Sequence, residues 1–409
     1  MIRVIGQFFA ALFFILSTLR GYIPSADMLL AALMFISGVA ICLAGSLGQR
    51  RLIFAFFLIS PIIFLSAIIG IYSGQFIVDT TTSFVLIFEN IYYIPLAIAL
   101  FSNILSFQWL SALNVIVLVS LVFSGVLQLS GFPVPILIDV AIHSSYETLT
   151  RSRLVGFAGT STPYAYMLSF SALTFLLLNA KRSSAILVSA YRKLLLFVSI
   201  ILIVLSFSRA PTIYFFLWTF FLPVMETFVV FEKKFAIRLP SLNTKSFLSM
   251  ALVSLVFVLI SYNFISVYLE RTFSAFSGLD TGNQLRDYYR DVLISRCSSG
   301  AFDWFFGIGL GSTSRFLSRL SGESQIIKYT CEFGSLATSG FLSILFYKLI
   351  KHFQSISLAA ASSLLFLLPL WYLQLFVNPA MSGYYLMFVY VAYSHLFEVS
   401  NSCREPGVI

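Results

Sequence analysis

Long apolar runs separated by short polar breaks dominate the chain. They fall at roughly 4–20, 24–44, 52–72, 84–101, 105–127, 164–180, 190–208, 211–230, 246–266, 333–350, 358–377 and 384–399. Crossing the hydrocarbon core of a bilayer takes about 20 predominantly apolar helical residues, fewer or more with tilt. Each run is long enough for such a helix. The pattern therefore predicts an all-α polytopic membrane protein with about 12 transmembrane helices. Residues 1–266 would carry helices 1–9 with an outer loop at about 128–163, residues 267–332 a large outer loop, and residues 333–409 helices 10–12 with a short tail. Tyr191, Arg192 and Lys193 at the start of the seventh run could shorten that span.

Composition agrees with this pattern: 59% of residues are hydrophobic and only 10% are charged, against about 25% charged in soluble domains. The net charge of +9 does not point to nucleic acid, because the basic residues are scattered between apolar runs and do not form one face. Arg50 and Arg51; Lys181, Arg182, Arg192 and Lys193; Lys233, Lys234, Arg238 and Lys245; Lys348 and Lys351; and Arg404 fall in every second loop. Basic loops stay in the cytoplasm, so both termini are expected there. Arg3 and the apolar run behind it, with no clean small-residue cleavage site, read as a retained first span. Tyr92, Tyr93, Tyr214, Tyr262, Tyr384 and Tyr385 stand near span ends, where aromatic rings anchor helices at the interface.

The four cysteines show neither zinc-type nor redox-type spacing, so neither a metal site nor a disulfide scaffold is expected. Cys297 and Cys331 share the large outer loop and either pair in an oxidising compartment or remain free thiols. The chain has no Gly-x-x-x-x-Gly-Lys phosphate loop and no His-Glu-x-x-His, which argues against ATP-driven transport and zinc hydrolysis.

Candidate chemistry gathers in the outer segments. Gly282 and Asn283 can cap a helix over Gln284–Arg296, and Gly307, Gly309 and Gly311 then impose loop. Within that helix Arg286 and Arg290 are four apart and share a face; a solvated face paired with Asp287 and Asp291 is the alternative. Arg209, in Phe207-Ser208-Arg209-Ala210-Pro211, stands alone between two spans. A charge at that depth needs a partner or ligand unless it snorkels to the headgroups. Arg151 and Arg153 precede Gly156 and Gly159, and Pro163 opens the next span. That order suits a tight loop bringing cations to a helix N-terminus, where backbone amides also favour anions; interfacial anchoring is the other reading. A guanidinium holds phosphate through a bidentate fork, so Arg151, Arg153, Arg209, Arg286, Arg290 and Arg296 together could hold pyrophosphate and stabilise it as a leaving group. For a base that deprotonates a hydroxyl, His143 and Glu323 are the outer candidates. Glu323 is preferred, and Asp139, Glu147 and Asp287 stay open. Glu89 and Glu226 lie within spans and could mark a proton path; otherwise Glu89, beside Asn90, is bonded inside the bundle and Glu226, close to an inner helix end, reaches water.

These stretches, in their order and on their side of the membrane, resemble the superfamily of O-antigen polymerases and O-antigen ligases. The resemblance spans about residues 150 to 345. It rests on Arg153-Leu-Val-Gly156 before a span, Ser208-Arg209-Ala210 between two spans, Phe306-Gly307-Ile308-Gly309-Leu310-Gly311 in the large loop, and Glu323-Ser324 leading to Glu332-Phe333-Gly334. Arg296 to Gly307 also fits an Arg, ten residues, Gly pattern described for polymerases. Ligases usually carry a histidine late in the large loop, and residues 267–332 contain none, which favours a polymerase.

The resemblance implies a helical, GT-C-like inner-membrane glycosyltransferase that needs no metal or cofactor. Its partners would be undecaprenyl-pyrophosphate-linked oligosaccharides, the lipid bilayer and a chain-length regulator, with no nucleic acid. Arg153 and Arg209, with Arg151 and His143 beside them, would bind substrate; Arg286, Arg290 and Arg296 would steer donor or acceptor; Glu323 would act as base at the periplasmic face. A ligase is the near alternative. A lipid-linked-oligosaccharide flippase or secondary transporter is the distant one, although the sequence lacks the repeated halves common in transporters.

Overall fold

The computed structural model describes residues 2–23, 26–45, 92–101, 107–133, 154–179, 186–206, 208–233, 288, 291–292, 294–309, 326–339 and 378–402. Among these residues the chain is helical and contains no strand. The helices include α1 (Ile2–Thr18), α2 (Ala26–Leu43), α3 (Ile94–Phe101), α4 (Phe107–Leu129), α5 (Ser161–Asn179), α6 (Ile186–Leu205), α7 (Arg209–Lys233), α8 (Ala301–Phe306), α9 (326–339, interrupted by a positive φ at Gly334) and α10 (Pro379–Ser402), and residues 288, 291–292 and 294–297 are helical as well. Short 3-10 turns at Arg20–Tyr22 and Gly156–Ala158 join them.

Three of these helices carry segments long and apolar enough to cross a membrane: Ala26–Leu43, Gln108–Leu129 and Ser161–Leu178. Ile2–Thr18 and Ala210–Val224 are shorter apolar segments. The helices follow the apolar runs within a few residues at most boundaries. Tyr191, Arg192 and Lys193 do not interrupt α6, which continues through them with Tyr191 exposed. Arg192 and Lys193 lie in its first turns, where long basic side chains reach polar surroundings while their stems cover apolar surface.

α5 is the hub. It packs on α4, α6, α7 and α10, while α10 also touches α1, α2 and α3. In its apolar segment 83% of residues are buried within the protein, against 44% for α4, so α5 is enclosed and α4 lies on the rim. The free face of α4 carries Val115, Val119, Phe123 and Val126, all exposed and apolar, and α7 shows the same on Ile213, Leu217, Phe220 and Val224. Water penalises an apolar exterior of this extent, whereas lipid accepts it.

Without a hydrophobic drive between helices in lipid, close packing and interhelical hydrogen bonds hold a bundle together. Both are present. A Cβ on Gly6 would stand 2.7 Å from Ile41 Cγ1, so glycine lets α1 and α2 run nearly in backbone contact. Between α4 and α5, Asn114 donates from Nδ2 to the Ser171 carbonyl at 3.0 Å, and Ser171 Oγ donates back to Asn114 Oδ1 at 2.7 Å.

Candidate functional site

One end of the bundle collects the ends of six helices. Thr18 at the end of α1 meets Ser120 of α4, Ser17 meets Tyr384 of α10, and Leu154 N–H donates to Leu205 O at the end of α6. Ser208 Oγ, just before α7, donates to Thr162 Oγ1 in the first turn of α5. The centre of this end is the loop 154–160. Gln128 Oε1 accepts from both Val155 and Gly156 N–H, at 2.8 and 2.9 Å. Gly156 has φ +51° and lies so near the Tyr164 ring that a Cβ would stand 2.5 Å from Cε2. Only glycine meets both demands at that point.

Arg20 secures the same loop from the 3-10 turn that follows α1. Its Nε and Nη2 form a fork with Asp27 Oδ1 and Oδ2 at 2.7 and 2.6 Å, and Nη1 donates to Ala158 O and Thr160 Oγ1 at 3.4 and 3.3 Å. The guanidinium is buried, whereas the Asp27 side chain is half exposed. The sequence reading passed over this pair. Its signal was present: Arg20 and Asp27 are the only charged residues between Arg3 and Arg50, and they bracket the first connection.

Arg209 is the first residue of α7 and follows Ser208, so its backbone stands next to the residue that meets Thr162 in the first turn of α5. The first turns of α5 and α7 therefore open on the same end of the bundle, and helix N-termini carry unpaired N–H groups and positive potential. Leu154 of one motif thus meets Leu205 at the end of α6, and Ser208 of another meets Thr162 in the first turn of α5, so both motifs stand at the same end of the bundle. Arg151, Arg153, His143, Arg286, Arg290 and Glu323 lie outside the described residues, as do Asp139, Glu147, Asp287 and Glu89.

A second assembly is built from the large loop. Cys297 and Cys331 are joined by a disulfide with Cα atoms 5.2 Å apart, which resolves the alternative the sequence left open. Ile308 and Ile327 pack on the bridge, and Ile308 N–H donates to Cys331 O at 2.8 Å. Gly307 (φ +83°) and Gly334 (φ +86°) allow the two strands of chain to approach backbone to backbone; a Cβ on Gly307 would stand 2.5 Å from Glu332 O. The Gly307–Gly309 and Glu332–Gly334 stretches therefore meet, although more than twenty residues of sequence separate them. Arg296, next to the bridge, is exposed. The helix α8 between Gly300 and Gly307 lies between the helix expected up to Arg296 and the loop expected from Gly307; Trp304 N–H donating to Gly300 O and Gly307 N–H donating to Asp303 O close its turns. α9 ties this lobe to the bundle, since Tyr329 and Tyr93 are hydrogen-bonded through their hydroxyls and Ile326 packs on the main core.

At the opposite end of α7 and α10, Glu226 Oε1 and His395 Nε2 are 2.7 Å apart, with His395 buried. Glu226 thus has a partner within the bundle, where the sequence offered a proton path or a reach to water.

No family model matches the chain, and neither the curated proteins nor the solved structures provide a match.

Proposed function

We propose that the chain is a surface-polysaccharide polymerase of the O-antigen type. It would act at the periplasmic face of a bacterial inner membrane, with both termini in the cytoplasm. In this reading the full chain has about 12 spans in a GT-C-like arrangement. The supporting observation is the gathering of the stretches that carry the resemblance: Leu154 bonds to Leu205 and Ser208 to Thr162 at one end of the bundle, and Gly307–Gly309 meets Glu332–Gly334. A disulfide in the large loop accords with an oxidising compartment on that side.

The reaction joins repeat units carried on undecaprenyl pyrophosphate. The acceptor sugar's hydroxyl gives its proton to a carboxylate, for which Glu323 is the candidate, as its oxygen bonds to the donor's anomeric carbon. The bond from that carbon to the pyrophosphate oxygen breaks, and undecaprenyl pyrophosphate leaves with the electron pair. Arg153 and Arg209 hold the pyrophosphate and offset its growing charge, with Arg151 and His143 beside them, while Arg286, Arg290 and Arg296 steer the sugars. A chain-length regulator is the expected protein partner.

The Glu226–His395 contact favours one second reading, a proton-coupled transporter or flippase, because ionisable pairs within spans commonly mark proton paths. Deletion of the gene followed by analysis of surface polysaccharide separates these readings. Single-unit caps on the cell surface are expected for a polymerase. Lipid-bound polymer that fails to reach lipid A indicates a ligase, and repeat units trapped on the inner leaflet indicate a flippase; either result overturns the proposal.

A further inference from the structure

Lys328 and Glu332 are one helical turn apart on α9 and both are buried, at 5% and 0% exposure. Their neighbours on α9 fix their surroundings. Ile327 and Cys331 face the disulfide lobe, whereas Ile326 faces the main core and Tyr329 reaches Tyr93. Successive helical residues turn by about 100°, so Lys328 and Glu332 project together on the remaining sector, between the stapled lobe and the bundle. Among the described residues the Lys328 ammonium makes no side-chain hydrogen bond or ion pair, Glu332 included. Removing an ammonium from water without a counter-charge costs several kcal/mol, and α9 cannot turn it outward without breaking the disulfide side of the helix.

We propose that Lys328 and Glu332 form a binding site for a phosphoglycosyl group, the lysine taking a phosphate oxygen and the glutamate a sugar hydroxyl. This rests on the polymerase reading for the sugar-bearing lipid and adds a site outside the arginines already assigned. An ammonium is a compact point charge suited to phosphate. A carboxylate one turn away accepts hydroxyl hydrogens and repels a second anion. The pair therefore favours a phosphate with hydroxyls beside it over a bare phospholipid headgroup. Gly307 and Gly334 hold the lobe against Cys331–Glu332, which fixes the site's wall.

The test uses the full chain in nanodiscs, with Arg153→Gln and Arg209→Gln in every protein including the parent so that the pyrophosphate site already assigned is silent, inorganic pyrophosphate as the probe and calorimetric binding as the readout. Lys328→Met is expected to weaken binding at least about tenfold, the value of one charged hydrogen bond, while Lys328→Arg stays within a few-fold of the parent. Glu332→Gln is expected to bind pyrophosphate more tightly, because a repelling charge is gone. These opposite signs distinguish a shared site from a structural pair, whose loss would weaken both. Complete Cys297–Cys331 bridging on a non-reducing gel verifies that each variant is folded. Pyrophosphate binding in Lys328→Met and Glu332→Gln within twofold of the parent, or no binding by the parent, overturns the site. Its failure is separable from that of the polymerase reading. If deletion leaves single-unit caps but binding ignores Lys328, the site falls and the polymerase stands. If deletion leaves polymer intact while binding depends on Lys328, the anion site stands and the polymerase falls.

Discussion

At Gly307 the backbone adopts φ +83°, and a Cβ there would stand 2.5 Å from the Glu332 carbonyl oxygen. Alanine therefore meets a backbone penalty and an overlap together. Gly307→Ala is expected to cost at least about 1–3 kcal/mol, read as a lower melting temperature and faster proteolysis between residues 297 and 331. An unchanged digestion pattern would mean that the two stretches do not touch. Arg20 makes a different demand, because its fork to Asp27 depends on planar geometry as well as charge. Arg20→Lys keeps the charge but loses the fork, and Arg20→Ala is expected to lower stability by about 2 kcal/mol, the scale of hydrogen bonds to a charged group. Half-exposed Asp27 keeps the cost at that level. Thermal melting in detergent measures both variants.

Among the elements, α9 has the most roles: it carries one half of the disulfide, the Tyr329 contact to the bundle, and the buried Lys328 and Glu332. The bridge closes a separation of 34 residues. By loop-closure entropy its removal is expected to destabilise the lobe by roughly 3–4 kcal/mol. The double change Cys297→Ser with Cys331→Ser should leave the bundle folded while the large loop becomes protease-sensitive; equal sensitivity with and without the bridge would contradict this. The α4–α5 contact is expected to contribute less. A double-mutant cycle on Asn114→Leu and Ser171→Ala should give a coupling near 0.6 kcal/mol, roughly the average for such bonds in membrane helices, with the α5 hub retained.

For the molecule as a whole, the helices were legible because lipid imposes a strong pattern: apolar runs of fixed length, and ends where charge begins. α2, α4 and α5 follow that pattern closely. What the pattern omitted depends on contacts between distant segments. Arg20 reads as an interfacial charge until Ala158 and Thr160 are placed beside it. Cys297 and Cys331 read as two thiols until Gly307 and Gly334 bring their segments together. Lys328 reads as an ordinary basic residue before a span, because burial on one sector of α9 is a tertiary property. Glycine spacing was informative at Gly307 and Gly309, where the backbone does take positive φ; the short α8 just before them lay between the expected helix and the expected loop. Of the proposed arginines, Arg209 and Arg296 fall among the described residues, and Arg209 opens α7 directly after Ser208, which meets Thr162 of α5.

The polymerase reading depends on transfer of sugar from a pyrophosphate held by guanidinium groups. The direct measurement is elongation by the purified full chain in proteoliposomes, supplied with undecaprenyl-pyrophosphate-linked repeat units extracted from the deletion strain. The expected result is a ladder of glycan lengths with one undecaprenyl pyrophosphate released per bond formed, nearly abolished by Arg209→Lys although the charge is kept. Repeat units returned unextended by the folded wild-type protein, or a full ladder from Arg209→Lys, would contradict the account.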